Sequence, residues 1–98
     1  MGRLTAAAPE IVKRTEVGDT KGGHGWIVTV FDNETNTVEE VVSILLLATG
    51  CSLEEAEIET WEIHNLGQSV VHHGGQAACE EVAGVVRQIG IRVTVTEE

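Results

Sequence analysis

From Gly25 onward, short apolar runs alternate with polar punctuation, and each change of period predicts an element. Trp26–Phe31 is apolar and β-branched, which predicts a strand, and Asp32-Asn33-Glu34-Thr35-Asn36 then breaks it with turn formers. Thr37-Val38-Glu39-Glu40 has the form of a capping box. Behind it, Val38, Val41, Val42 and Leu45 recur at i, i+3, i+4 and i+7, predicting a helix that ends at Gly50. A second box, Ser52-Leu53-Glu54-Glu55, opens a helix to about Leu66, closed by Gly67. Ser69–His73 predicts a short strand ended by Gly74–Gly75. Ala78, Val82, Val85, Val86 and Ile89 then mark the apolar stripe of a third helix. Gly84 interrupts that stripe and is expected to allow close backbone packing; Gly90 stops the helix, and Ile91–Thr96 alternates as a last strand. The order βααβαβ predicts an α+β domain, a three-stranded antiparallel sheet with three helices packed on one face.

Residues 1–24 break this regularity. Small residues, Pro9, scattered charges and Gly22–Gly23 give no sustained apolar period, so the segment is expected to be a flexible N-terminal extension to a domain at 25–98. A chain of 98 residues with 42% apolar content supports one core. The net charge of −10 is unevenly spread. Residues 1–24 set Arg3, Lys13, Arg14 and Lys21 against three acids, whereas residues 25–98 set Arg87 and Arg92 against thirteen, a balance of −11. Phosphate backbones and anionic lipid are repelled by such a surface, so neither nucleic acid nor membrane is an expected partner. The aromatics Trp26, Phe31 and Trp61 offer little for base stacking. The acidity fits a solvated surface, or attraction for a cationic partner such as a free amino terminus.

Candidate chemistry narrows the class further. Cys51 and Cys79 have neither zinc spacing nor the number for a disulfide framework, and a reducing cytoplasm is the expected setting. His72 and His73 are adjacent on a strand and point to opposite faces, which argues against one shared metal ion. The acid pairs Glu39–Glu40, Glu54–Glu55 and Glu80–Glu81 belong to opening helical turns, and Glu57, Glu59 and Glu62 read as a solvated helix face. No nucleophile elbow or phosphate loop is present, so neither an enzyme nor a cofactor is expected. The more informative constellation joins the 32–36 turn to His64: an acid, an amide and an imidazole beside apolar helix residues suit an ammonium group and its neighbouring side chain.

These residues resemble the ClpS family. The resemblance is carried by Ile27–Val30, Asp32-Asn33-Glu34, Leu53-Glu54-Glu55-Ala56, Trp61-Glu62-Ile63-His64 and Gly67-Gln68-Ser69-Val70-Val71, and it spans roughly residues 26–96. It implies an adaptor that recognises a bulky N-terminal residue (an N-degron) on substrate proteins and delivers them to a hexameric Clp AAA+ unfoldase, with the N-terminal extension used in delivery. Counted back from His64, the amine-holding turn falls on Asp32, Asn33 and Glu34. The pocket lining falls on Asn36, Val38, Val41, Thr60, Ile63 and Ile91. Two departures stand out: the usual Asn-Asp order is inverted to Asp32-Asn33, and the usual proline-methionine becomes Thr37-Val38. Shorter Val38 and hydroxyl-bearing Thr60 imply a roomier, slightly more polar pocket. The alternative is an interaction module that does not read N-degrons. It is either a divergent relative or one like the bacterial ribosomal stalk domain, which Ala48-Thr49-Gly50 and Ile89-Gly90-Ile91 faintly resemble. The absence of lysine after Lys21 counts against the stalk comparison.

Overall fold

The computed structural model describes residues 25–98, so the proposed extension at 1–24 lies outside the described residues. Strand β1, Trp26–Phe31, occupies the middle of a three-stranded antiparallel sheet. On one side it pairs with β2, Gln68–Gly74, and on the other with β3, Val93–Glu97. Val28 stands opposite Val95 and Val30 opposite Val93. Directly paired residues point to the same face, so these valines form one apolar surface, with Val28 and Val30 fully buried. The register against β2 shifts between Val28 and Thr29, a bulge that leaves Val71 between the partnered residues Val70 and His72. The last strand begins at Val93, two residues later than expected, and Ile91 is buried ahead of it.

Helix α1, Val38–Thr49, starts as the capping motif requires: Thr37 Oγ1 accepts from the Glu40 N–H at 3.1 Å, and Glu40 Oε1 accepts from the Thr37 N–H at 3.0 Å. The hydrogen bonds from Thr37 and then Asn36 hold the Glu40 carboxyl below its ordinary range. Helix α2, Leu53–Leu66, makes only the Ser52 half of its box, from the Glu55 N–H to Ser52 Oγ at 3.1 Å. Helix α3, Gln76–Val86, continues into a 3-10 turn over Arg87–Ile89. Its buried stripe is Cys79, Val82, Ala83 and Val86, one step round from the expected one, with Ala78 exposed. The expectation for Gly84 is corrected as well. A Cβ there would meet nothing within 4 Å, so the glycine serves no close approach.

All three helices pack on the Val28–Val30 side. Helix α3 lies across the three strands, α2 packs on β2, and α1 bridges α2 and α3. The core they enclose centres on Leu45, Ile63, Val28, Val30, Val41, Val86 and Cys79, whose side chains are fully buried. On the opposite face the Arg92 guanidinium lies 4.0 Å over the Phe31 ring. No helix among the described residues is long and apolar enough to cross a membrane.

Candidate functional site

One side chain builds the turn that leaves β1. Asn33 Oδ1 accepts the backbone N–H groups of Thr35 at 3.2 Å and Asn36 at 3.0 Å, the way an Asx turn is made. Its Nδ2 donates to Asn36 Oδ1 at 2.8 Å. Asn36 in turn donates to the Ile89 carbonyl at 2.9 Å and to Glu40 Oε1 at 3.1 Å, tying the turn to the 3-10 segment and to the start of α1.

The head of the turn is fixed from a different quarter. The Asp32 N–H donates to the carbonyl of Gly67 at 3.0 Å. Gly67 caps α2 in a left-handed conformation, φ 93°, that glycine adopts without strain. The residue that ends α2 therefore also holds Asp32, and this brings together two side chains 32 positions apart. Asp32 Oδ1 lies 3.0 Å from His64 Nδ1. An ionised carboxylate only accepts, so Nδ1 carries the hydrogen that faces it, and in the neutral ring the lone pair is on Nε2. His64 Nε2 is buried with no hydrogen-bond partner among the described residues. Leaving a buried acceptor unmatched costs roughly 1–3 kcal/mol, a cost that a donor on a ligand would remove.

His64 is also part of a groove of about 600 Å³ between the exposed flanks of α1 and α2. Helix α1 supplies Val38, Glu39, Val42 and Ser43; helix α2 supplies Glu57, Thr60, Trp61, His64 and Asn65. The recurrence at three and four residues is that of single helix faces. Two of the groove's largest apolar side chains remain open to solvent, Trp61 at 58% and Val38 at 52%.

The structure thus brings Asp32 to His64, and places Val38 and Thr60 with His64 on the groove. Asn33 adjoins the pair, with its oxygen committed to the turn. Glu34 is exposed, and Asn36 is engaged in bracing the turn. Val41, Ile63 and Ile91 differ from expectation: at 1%, 0% and 4% exposed they belong to the core and do not line the groove. The Thr60 hydroxyl donates to the Ala56 carbonyl at 2.7 Å, so its hydrogen is spent on its own helix while its oxygen keeps its capacity to accept. Trp61, Val42 and Glu57 also line the groove, although the sequence reading does not place them at the site. Glu57 and Trp61 stand seven and three residues before His64, a spacing that puts all three on one flank.

Glu59 corrects the reading of Glu57, Glu59 and Glu62 as one solvated face. It is only 8% exposed and its Oε1 has no hydrogen-bond partner. Burial, then the charge and hydrogen bond of Glu55, then the charge of Glu62 push its carboxyl up to about 9. No group of three or more His, Cys, Asp or Glu among the described residues is arranged to hold a metal ion. His72 and His73 stand opposite Val28 and Ile27 respectively, and burial holds the His72 imidazole below its ordinary value.

Comparison with known proteins gives a family match and several structural matches. The family model of the ATP-dependent Clp protease adaptor protein ClpS matches residues 22–94. Among solved structures, Agrobacterium tumefaciens ClpS2 bound to L-phenylalaninamide has a similar fold, with a TM-score of 0.72 at 17% identity, covering 78% of this chain and 99% of that one. No curated protein matches the chain in sequence.

Proposed function

Because the chain belongs to the ClpS family of ATP-dependent Clp protease adaptors, we propose that it reads the N-terminal residue of substrate proteins, a bulky hydrophobic N-degron, and delivers them to a hexameric Clp AAA+ unfoldase. The observation that carries this reading is the buried, unmatched Nε2 of His64, oriented by Asp32 at 3.0 Å and set on the wall of a groove. An α-ammonium group is the complementary ligand. It would donate one hydrogen to Nε2 in a charge-assisted bond, while the Asp32 carboxylate, on the far side of the imidazole, orients the ring and offsets the positive charge through it. Asn33 Oδ1 already accepts two backbone bonds, so Asp32 carries the recognition charge, and the inverted Asp-Asn order works in this chain through that residue. The side chain beside the amine would then enter the groove over Val38, Val42 and Trp61. The fold-related ClpS2 is bound to L-phenylalaninamide, a bulky side chain beside a free amine, which fits the same division of labour. The cytoplasmic setting expected from the free cysteines belongs to this reading.

Delivery is tested by degradation of a folded reporter by a purified Clp unfoldase–peptidase pair. A Leu-initiated reporter should be degraded several-fold faster when this protein is added, while a Met-initiated reporter should be unaffected. Equal stimulation of both, or of neither, would favour an interaction module that does not read N-termini.

A further inference from the structure

We infer that the groove also accepts a basic first residue, arginine or lysine, whose side-chain cation lies against Trp61 and Glu57. This rests on the N-terminus-reading function and extends its substrate class. Three features of the groove are not required by an apolar guest. First, a carboxylate stands on each wall, Glu39 from α1 and Glu57 from α2. Second, neither forms a salt bridge with a described residue. The two arginines of the described domain are engaged elsewhere: Arg87 donates to the Val93 carbonyl at 3.0 Å, and Arg92 lies over Phe31. Third, Trp61, itself 58% exposed, presents an indole to the same groove.

The spacing fits a long, cation-tipped side chain. Glu57 precedes His64 by seven residues on α2, which is about 10 Å along a helix axis. Trp61 lies between them, one turn from Glu57. With the α-ammonium at His64, an extended arginine or lysine directs its charge toward Glu57 and its methylene stem across Val42 and Trp61. Leucine ends well short of Glu57. A groove of about 600 Å³ is within the range that takes drug-sized ligands, so the longer side chain has room. The cation gains a contact with the indole face and an ion pair at a partly exposed site, together worth about two- to tenfold in affinity. The guanidinium, planar and weakly hydrated, suits such stacking better than the ammonium of lysine.

The test is fluorescence anisotropy with Arg-, citrulline- and Leu-initiated peptides that are otherwise identical, using the full chain, Glu57→Gln and Glu80→Gln. Citrulline keeps the shape of arginine and removes its charge. Glu80 is exposed on α3 outside the groove, so its variant controls for general loss of negative charge. The expected result is that Arg binds about two- to tenfold more tightly than citrulline in the parent and in Glu80→Gln. In Glu57→Gln that ratio should fall toward unity. Equal binding of Arg and citrulline by the parent, or an equal fall of the ratio in both variants, would overturn the inference while Leu binding upholds the N-terminus reading. Failure of all three peptides, Leu included, would overturn both together.

Discussion

The parent is expected to lose stability as pH rises from 5 toward 9, and replacing Glu59 with Gln is expected to remove most of that fall. In the folded chain the Glu59 carboxyl is pushed up to about 9 from an ordinary 4.5, first by burial and then by Glu55 and Glu62. Below pH 4.5 both folded and unfolded states are protonated, and the folded state keeps its full advantage. Above it the unfolded chain ionises freely while the folded one does not, so stability is lost progressively until the folded-state value is passed. At pH 8 the loss is on the order of 5 kcal/mol, a large fraction of the stability expected of so small a domain. Glutamine keeps the shape, cannot ionise, and its amide can still donate toward Glu55. Thermal melts of parent and variant should therefore nearly coincide at pH 4.5 and diverge by pH 8, with the variant the more stable. Parallel curves across that range would show that Glu59 ionises as freely in the folded chain as in the unfolded one.

The second large effect concerns the amine clamp. His64→Ala should weaken binding of a Leu- or Phe-initiated peptide by about 1–3 kcal/mol, the cost of removing one member of a buried donor–acceptor set. Asp32→Asn should weaken it comparably, because Asp32 orients the imidazole and, through the ring, offsets the positive charge of the ammonium. Glu34→Gln, on an exposed residue with no hydrogen bond or ion pair to His64, should have a much smaller effect. Isothermal titration with melting curves for each variant separates binding from folding. If Asp32→Asn and Glu34→Gln have equal small effects, the turn is only a strand exit. If His64→Ala lowers the melting temperature and leaves affinity level, His64 merely braces the end of α2.

Local chemistry was the most legible part of the sequence. The Thr37–Glu40 box, the Ser52 cap and the glycines at 50, 67 and 90 end or begin elements where their side chains, or lack of one, act on nearby backbone. Long-range register was less so. The bulge at Val71 and the late start of β3 at Val93 follow from how strands meet across the sheet, which no window of one strand contains. Helix faces were the main source of difference at the site. Neighbours on a helix point about 100° apart, so matching a position to a family pattern does not by itself fix the face. Thus Val41 is in the core while Val42 lines the groove, and Ile63 is in the core while His64 reaches the groove. Glu59 had a signal in the sequence. Ala56, Glu59, Thr60 and Ile63 recur at i, i+3, i+4 and i+7, the spacing of a buried stripe, although an acid seldom occupies one. The meeting of Asp32 with His64 depends on the Asp32–Gly67 backbone bond, a tertiary contact that neither segment declares alone.

The measurement that bears most directly on the central claim is fluorescence anisotropy of one Leu-initiated peptide with its N-terminus free and with it acetylated. Acetylation removes the positive charge and two of the three N–H donors while leaving the leucine side chain unchanged. If Asp32 and His64 hold an α-ammonium group, the free peptide should bind at least about tenfold more tightly, since losing charge-assisted bonds of this kind costs about 1.5–3 kcal/mol. Equal affinity for the two forms would contradict the account, because binding would then depend on the groove alone.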